Sequence, residues 1–167
     1  MDEAPVSLGS MEVLEKIREL YRDHDVEFRE LQHEPTRTSE ESAAARGESM
    51  EIGGKALMMK IEDRFRLLVL PAILKVDSKS LRKFFGTKYM RFANREELSD
   101  VTGVVPGCVP PFGNPVLPLE LYVDSSFQDR GKIAFNPGML TYSHILDFSD
   151  YQRIANATFF SFGKRVD

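Results

Sequence analysis

Apolar positions recur at helical spacing near the start of the chain, where Leu14, Ile17, Leu20 and Tyr21 form one face behind a capping Ser10. The pattern then alternates in "VEFREL", with Val26 and Phe28 on one side, which predicts a short strand. "TSEESAAARG" reads as a helix: Thr38 and Glu41 have capping-box spacing, the alanines propagate it, and Gly47 stops it. In "KALMMKIEDRFRLLVLPA" two apolar runs flank Glu62-Asp63, predicting a hairpin of two largely buried strands. Asp77 caps "SKSLRKFF" and Gly86 ends it, "YMRFA" is a strand, and Asn94 with Glu97 opens the helix "NREELSDVTG". "LELYVD", "KIAFN" and "SHILDF" follow as strands, and "SDYQRIAN" as a closing helix. Helices interleaved with hairpins predict an α+β fold with a mixed, largely antiparallel sheet flanked by helices.

At 167 residues the chain suits one domain, read as residues 10–167 behind a flexible tail at 1–9. Its net charge of −4 excludes general polyanion binding and sends any nucleic-acid contact to a local patch. Such a patch is offered by Lys79, Arg82 and Lys83, although the solvated face of a helix reads the same way. The single cysteine, Cys108, excludes an internal disulfide framework and fits a reducing compartment. No apolar run reaches bilayer length, and the acidic start "MDEAPVSLGS" has no signal-peptide pattern, so cytoplasmic is the expected location.

Motif chemistry narrows the options further. His24, His33 and His144 lie in different elements without metal-ligand spacing, and CxxC, GxSxG and GxxxxGK[ST] are all missing. No metal, cofactor or protein nucleophile is therefore expected, and Cys108 reads as a small apolar loop residue. Lys55 opens a buried run just after Gly53-Gly54, as a solvated strand end or as a fixed ammonium facing an anion. "GVVPGCVPPFG" is uncharged and rigid: glycine admits close backbone approach and proline fixes the neighbouring dihedrals. It suits either a packed connector or a backbone wall around Gly107, Cys108, Val109, Pro110 and Pro111 that offers donors to a developing oxyanion. In "FNPGMLTYSH" the polar candidates are Asn136, Ser143 and His144 around a turn at Gly138.

Four segments, in this order, resemble the YbaK/ProX family of aminoacyl-tRNA deacylases, related to the editing domain of bacterial prolyl-tRNA synthetases. They are "HEPTRTSEESAAARG", "GGKALMMK" with the signature lysine at Lys55, "TGVVPGCVPPFG" with Gly-x-x-x-Pro at Gly107–Pro111, and "IAFNPGMLTYSHILDFSDY". Alanine-editing members tend to carry His-Pro where this chain has Asn136-Pro137. The resemblance implies hydrolysis of the ester in a mischarged tRNA by a water, without a metal. Lys55 would hold a phosphate, Gly107 would help polarise the ester carbonyl, and the Gly107–Pro111 backbone would line the aminoacyl pocket. Thr38, Asn136, Gly138, Ser143 and His144 would complete the substrate contacts. The implied partners are the acceptor end of a mischarged tRNA and an aminoacyl-tRNA synthetase, with neither DNA nor a membrane. The reading from another class is a non-catalytic module that binds a small amino acid or nucleotide, or a synthetase-associated subunit.

Overall fold

The computed structural model of the chain describes residues 7–36 and 38–166. Helix α1 (Met11–Asp23) starts where the Val13 N–H donates to the Ser10 hydroxyl, and it buries Leu14, Ile17, Leu20 and Tyr21. Helix α2 (Ser39–Arg46) is capped by Thr38, which accepts from the Glu41 N–H, and Gly47 ends it in the left-handed region. Strands β2 (Gly54–Ile61) and β3 (Arg64–Pro71) form the expected hairpin, turning at Glu62 with φ 59°. Helix α3 (Ser78–Phe85) begins at Asp77, and α4 (Arg95–Thr102) carries the full capping box of Asn94 and Glu97. The remaining expected elements are β5 (Met90–Phe92), β6 (Glu120–Asp124), β7 (Lys132–Phe135), β8 (Tyr142–Asp147) and α5 (Phe148–Ala155).

These elements build an α+β molecule around a five-stranded sheet in the order β5-β2-β3-β6-β9, where β9 is Thr158–Phe160. Pairing is antiparallel for β2 with β3 and β5, and parallel for β3–β6 and β6–β9. A second sheet, β1-β8-β7, starts with β1 (Arg29–Gln32), and β4 (Leu74–Val76) pairs with β10 (Gly163–Arg165). The main core gathers Met58, Leu67, Val69 and Val123 with α1, α5 and the β7–β8 strands. On the other face of the large sheet, α3 covers Met59, Ile61, Leu68 and Leu70 through Leu81. No helix among the described residues is long and apolar enough to cross a membrane.

Three expectations change. Val26–Phe28 precede the first strand: the Val26 N–H donates to Tyr21 C=O, and Phe28 lies against the Tyr21 ring. Strands β4, β9 and β10 carry no alternation strong enough to read, because they are short and exist only through their partners. Leu8 and Gly9 are not free tail, since the Leu140 N–H donates to Leu8 C=O and Gly9 bridges Met139. Residues 1–6 lie outside the described residues.

A buried polar pair joins α1 to β8. The His144 ring is fully buried; Nε2–H donates to Glu30 Oε2 at 2.8 Å, and Nδ1 accepts from the Tyr21 hydroxyl at 3.0 Å. Burial lowers the His144 pKa to about 4 despite the carboxylate, so the ring is neutral at pH 7. An unfolded ring protonates near its ordinary 6.5, so between these values the unfolded state binds more protons. Glu30, whose pKa is lowered chiefly by its bond from Arg18, acts in the same direction. Stability should therefore be full above about pH 6.5 and fall by roughly 3 kcal/mol as pH drops toward 4. Chemical denaturation across that range measures it; H144Q should be less stable at pH 7 with a flatter pH dependence. An identical slope in H144Q would remove His144 as the cause.

Candidate functional site

The candidate site is a cavity of about 190 Å³ between α2, the start of β2 and the glycine–proline loop. Small side chains along one face of α2, Ser42 and Ala43, let the helix approach closely, and Arg46 one turn on is carried inward with them. The Arg46 side chain is the unexpected centre. It is buried at 6% exposure, and no carboxylate pairs with it among the described residues. Instead Nε donates to Ser143 Oγ at 2.9 Å and Nη2 to Asn136 Oδ1 at 3.1 Å. Nη1 lies toward Gly53, where an added Cβ would stand 3.7 Å away. Desolvation lowers the guanidinium pKa to about 10, which leaves it charged at neutral pH.

Ser143 and Asn136 are themselves anchored. His33 Nδ1 faces Glu34 C=O at 2.8 Å, so in the neutral ring that nitrogen bears the proton and Nε2 accepts from the Ser143 hydroxyl at 2.8 Å. Asn136 Nδ2 donates to Gly107 C=O at 2.9 Å, and the Gly138 N–H donates to Cys108 C=O at 2.9 Å. The two glycine–proline loops are thus stitched to each other. Gly107 has φ +93°, a conformation glycine adopts without strain, and this aims the loop at the cavity. Further along, the Tyr151 hydroxyl donates to Pro111 C=O at 2.6 Å, which ties the loop to α5.

Lys55, Thr38, Gly107, Val109 and Asn136 line the cavity together. Lys55 is half-buried, and desolvation lowers its pKa. Cys108, Pro110, Pro111, Gly138, Ser143 and His144 do not line it. Cys108 is buried, its thiol bonds to Val105 C=O at 3.2 Å, and burial pushes its pKa up to about 11. Pro110 and Pro111 are buried as well. Gly138 packs on α1, where a Cβ would meet Val13 at 2.8 Å. Ser143 stands behind Arg46 as its support. His144 points the opposite way, because neighbours on a strand face opposite sides of the sheet. Lys79, Arg82 and Lys83 are exposed on α3, away from the cavity lining. Sequence reading missed Arg46 altogether, treating "SAAAR" as helix propagation; the signal was an arginine one turn after small residues on a face that must pack closely.

The chemistry of the cavity is one-sided. Among its described lining residues are two cations, Arg46 and Lys55, and four hydroxyls, Thr36, Thr38, Ser39 and Ser42, with no carboxylate. In a protein of net charge −4 this is a local site for an anion or an electron-rich oxygen.

The model of the aminoacyl-tRNA editing domain family matches residues 33–154, which include every lining residue of the cavity. A protein of Escherichia coli K12 named as a multifunctional Ser/Thr-tRNA deacylase is 33% identical over 149 residues, covering 86% of this chain and 88% of that protein. A proline–tRNA ligase of Bacillus licheniformis is 32% identical over 101 residues, covering 59% of this chain and 18% of the ligase. A solved structure described as a candidate trans-editing enzyme for prolyl-tRNA synthetase superposes with a TM-score of 0.78 at 20% identity, over 98% of this chain and 99% of that one. That likeness extends the common fold to nearly the whole chain. By the match of its family model and its deacylase relative, the chain belongs to the aminoacyl-tRNA editing domain family.

Proposed function

We propose that this chain is a trans-editing aminoacyl-tRNA deacylase that hydrolyses the ester of tRNA mischarged with a small hydroxylated amino acid, serine or threonine. The observation that carries the reading is the cavity lined by Arg46, Lys55, Gly107 and Val109, with no carboxylate among its described lining residues. The reading follows the deacylase relative, to which the chain is similar over 88% of that protein's length, whereas the likeness to the ligase covers 18% of the ligase. The choice of amino acid follows the relative's name and the four hydroxyls of the lining. A pocket that hydrogen-bonds a substrate hydroxyl rejects analogues lacking it far better than an apolar pocket separates one methylene.

In this mechanism the aminoacyl group enters between α2 and the loop. The Gly107 and Val109 N–H groups, which have no acceptor among the described residues, and Arg46 Nη1 face the ester carbonyl. They stabilise the oxyanion as a water attacks, with the neighbouring ribose hydroxyl of the substrate assisting. Lys55 takes a phosphate of the terminal nucleotide as a compact point charge. Ser143 and Asn136 keep the guanidinium fixed, so little reorganisation is needed when charge develops. Cys108 has no part in the chemistry: its thiol is buried and protonated.

The acceptor strand continues onto α3. Lys79, Arg82 and Lys83 are exposed there, and the adjoining β4–β10 ribbon places Lys75 directly opposite Lys164. Like charges facing each other in a ladder are unfavourable; the Asp77 carboxylate offsets part of this at Lys164, and a phosphate would offset more. The alternative of a non-catalytic binding module has no specific observation in its favour.

Release of amino acid from a panel of seryl-, threonyl-, alanyl- and cysteinyl-tRNAs tests the reading. Seryl- and threonyl-tRNA should be hydrolysed fastest, and no release from any of them would refute it. K55A should lower kcat/KM about 10- to 150-fold with the fold retained, the effect of removing one charge-assisted hydrogen bond. R46K should lose at least about 10-fold, because one ammonium cannot reach Ser143, Asn136 and the ester together. C108A should keep full activity per folded molecule. Wild-type rates in K55A or R46K would remove those roles.

Charge reversal of Lys79, Arg82 and Lys83 together should raise KM for full-length tRNA and leave kcat nearly unchanged. It should also flatten the salt dependence of KM, by about one unit of log–log slope for each phosphate no longer neutralised. A salt slope and KM equal to wild type would show α3 to be an ordinary solvated helix face.

A further inference from the structure

Strand β2 leaves one stretch of its edge open beside the cavity. Along a strand the N–H and C=O of one residue point to one edge and those of the next to the other. Three bonds fix the phase in β2. The Ala72 N–H donates to Gly53 C=O at 2.8 Å on the β3 side, while the Ala93 N–H donates to Met58 C=O at 2.8 Å and the Glu62 N–H to Tyr89 C=O at 2.7 Å on the β5 side. Even-numbered residues therefore turn their backbone groups toward β5. Yet β5 pairs only with Met59–Ile61. The only other strand that meets this end of β2 among the described residues is β7, through a single bridge from Ala134 to Gly53, so the N–H and C=O of Ala56 point past the end of β5 into a gap where no ladder pairs them.

What they face is a groove of about 240 Å³ bounded by Met58, Phe92, Leu98 and Pro106. Its walls are mostly apolar, and Phe92 at its rim is 56% exposed, which leaves the ring accessible to a planar ligand. The groove adjoins the cavity, since Ala56, Leu57, Gly107 and Val109 line both. In the substrate of an editing enzyme the aminoacyl group is esterified to the ribose of the terminal nucleoside. A group seated in the cavity therefore sets the base one sugar's width away, and the adjoining groove is the apolar hollow that shares its walls.

We infer that the groove is the subsite for the terminal adenine of the tRNA, with Phe92 stacked on the base and the Ala56 backbone reading its edge. The inference rests on the deacylase reading above. An N–H beside a C=O on one strand edge complements adenine, which presents the N1 acceptor beside the N6 donor. Hypoxanthine presents the reverse, a donor at N1 and an acceptor at O6, and sets like against like at both positions. Stacking on an aromatic ring tolerates either base, so the backbone supplies the selectivity and Phe92 the affinity.

The test compares three substrates: seryl-tRNA ending in adenosine, the same tRNA ending in inosine, and a simple serine ester without a nucleoside. Wild-type enzyme should lose about 10-fold or more in kcat/KM on the inosine-ended tRNA. F92A should raise KM about 10-fold on the adenosine-ended tRNA and leave the nucleoside-free ester unaffected, and F92Y should behave as wild type. Equal rates on adenosine and inosine ends would overturn the backbone readout. An F92A loss as large on the nucleoside-free ester would make Phe92 a structural residue and overturn the stacking role. If wild-type enzyme hydrolyses no aminoacyl-tRNA, the deacylase reading itself fails, and the subsite falls with it.

Discussion

Burying a guanidinium without a carboxylate is the constraint around which this molecule is organised. Arg46 gives up water and receives Ser143 Oγ and Asn136 Oδ1 in exchange. Those neutral dipoles compensate a buried charge only where every partner is itself held. His33 holds Ser143, and the Gly107 carbonyl holds Asn136. One charge thereby couples α2, the β7–β8 strands and the glycine–proline loop, three parts of the chain far apart in sequence. No acid among the described residues pairs with the charge, which keeps it available to a ligand.

Charge elsewhere is used differently. Glu30 is engaged by Arg18 and His144, Glu97 by Arg91, and Glu120 by Arg64 and Arg66. Surface pairs such as these contribute little to stability each. Their collective effect is to neutralise acids away from the site, so that an acidic protein still presents a positive cavity. Lys55 and the α3 cations have no such partners among the described ion pairs.

The glycine–proline loop shows how rigidity is obtained without charge. Its prolines restrict the chain, and its carbonyls at Gly107, Cys108 and Pro111 are each taken by another segment: Asn136, Gly138 and Tyr151. With these carbonyls engaged from behind, the N–H groups of Gly107 and Val109, two residues of the cavity lining, have no acceptor among the described residues. Cys108 packs behind that wall, which explains a buried thiol in the middle of a loop beside the site.

Whatever depends on near neighbours was legible along the chain. Ser10, Thr38, Asp77 and Asn94 cap helices where their spacing requires, Glu62-Asp63 turns the hairpin, and the uncharged run at 103–113 is the cavity wall through Gly107 and Val109. Lys55 stood out as a cation just after two glycines, with a solvated strand end and an anion-facing ammonium both open, and it lines the cavity. The rest came from packing between distant segments. Strands β4, β9 and β10 are too short to be specified locally and form because partners are waiting for them. Alternation required Ser143 and His144 to face opposite ways, but nothing local to them said which would support Arg46 and which would join Tyr21 and Glu30. Arg46 and the open edge at Ala56 carry no local signature, since burial of a charge and vacancy of a backbone edge are properties of what packs alongside. A linear pattern records which atoms a residue brings, whereas the fold decides what remains unpaired once all the others have met.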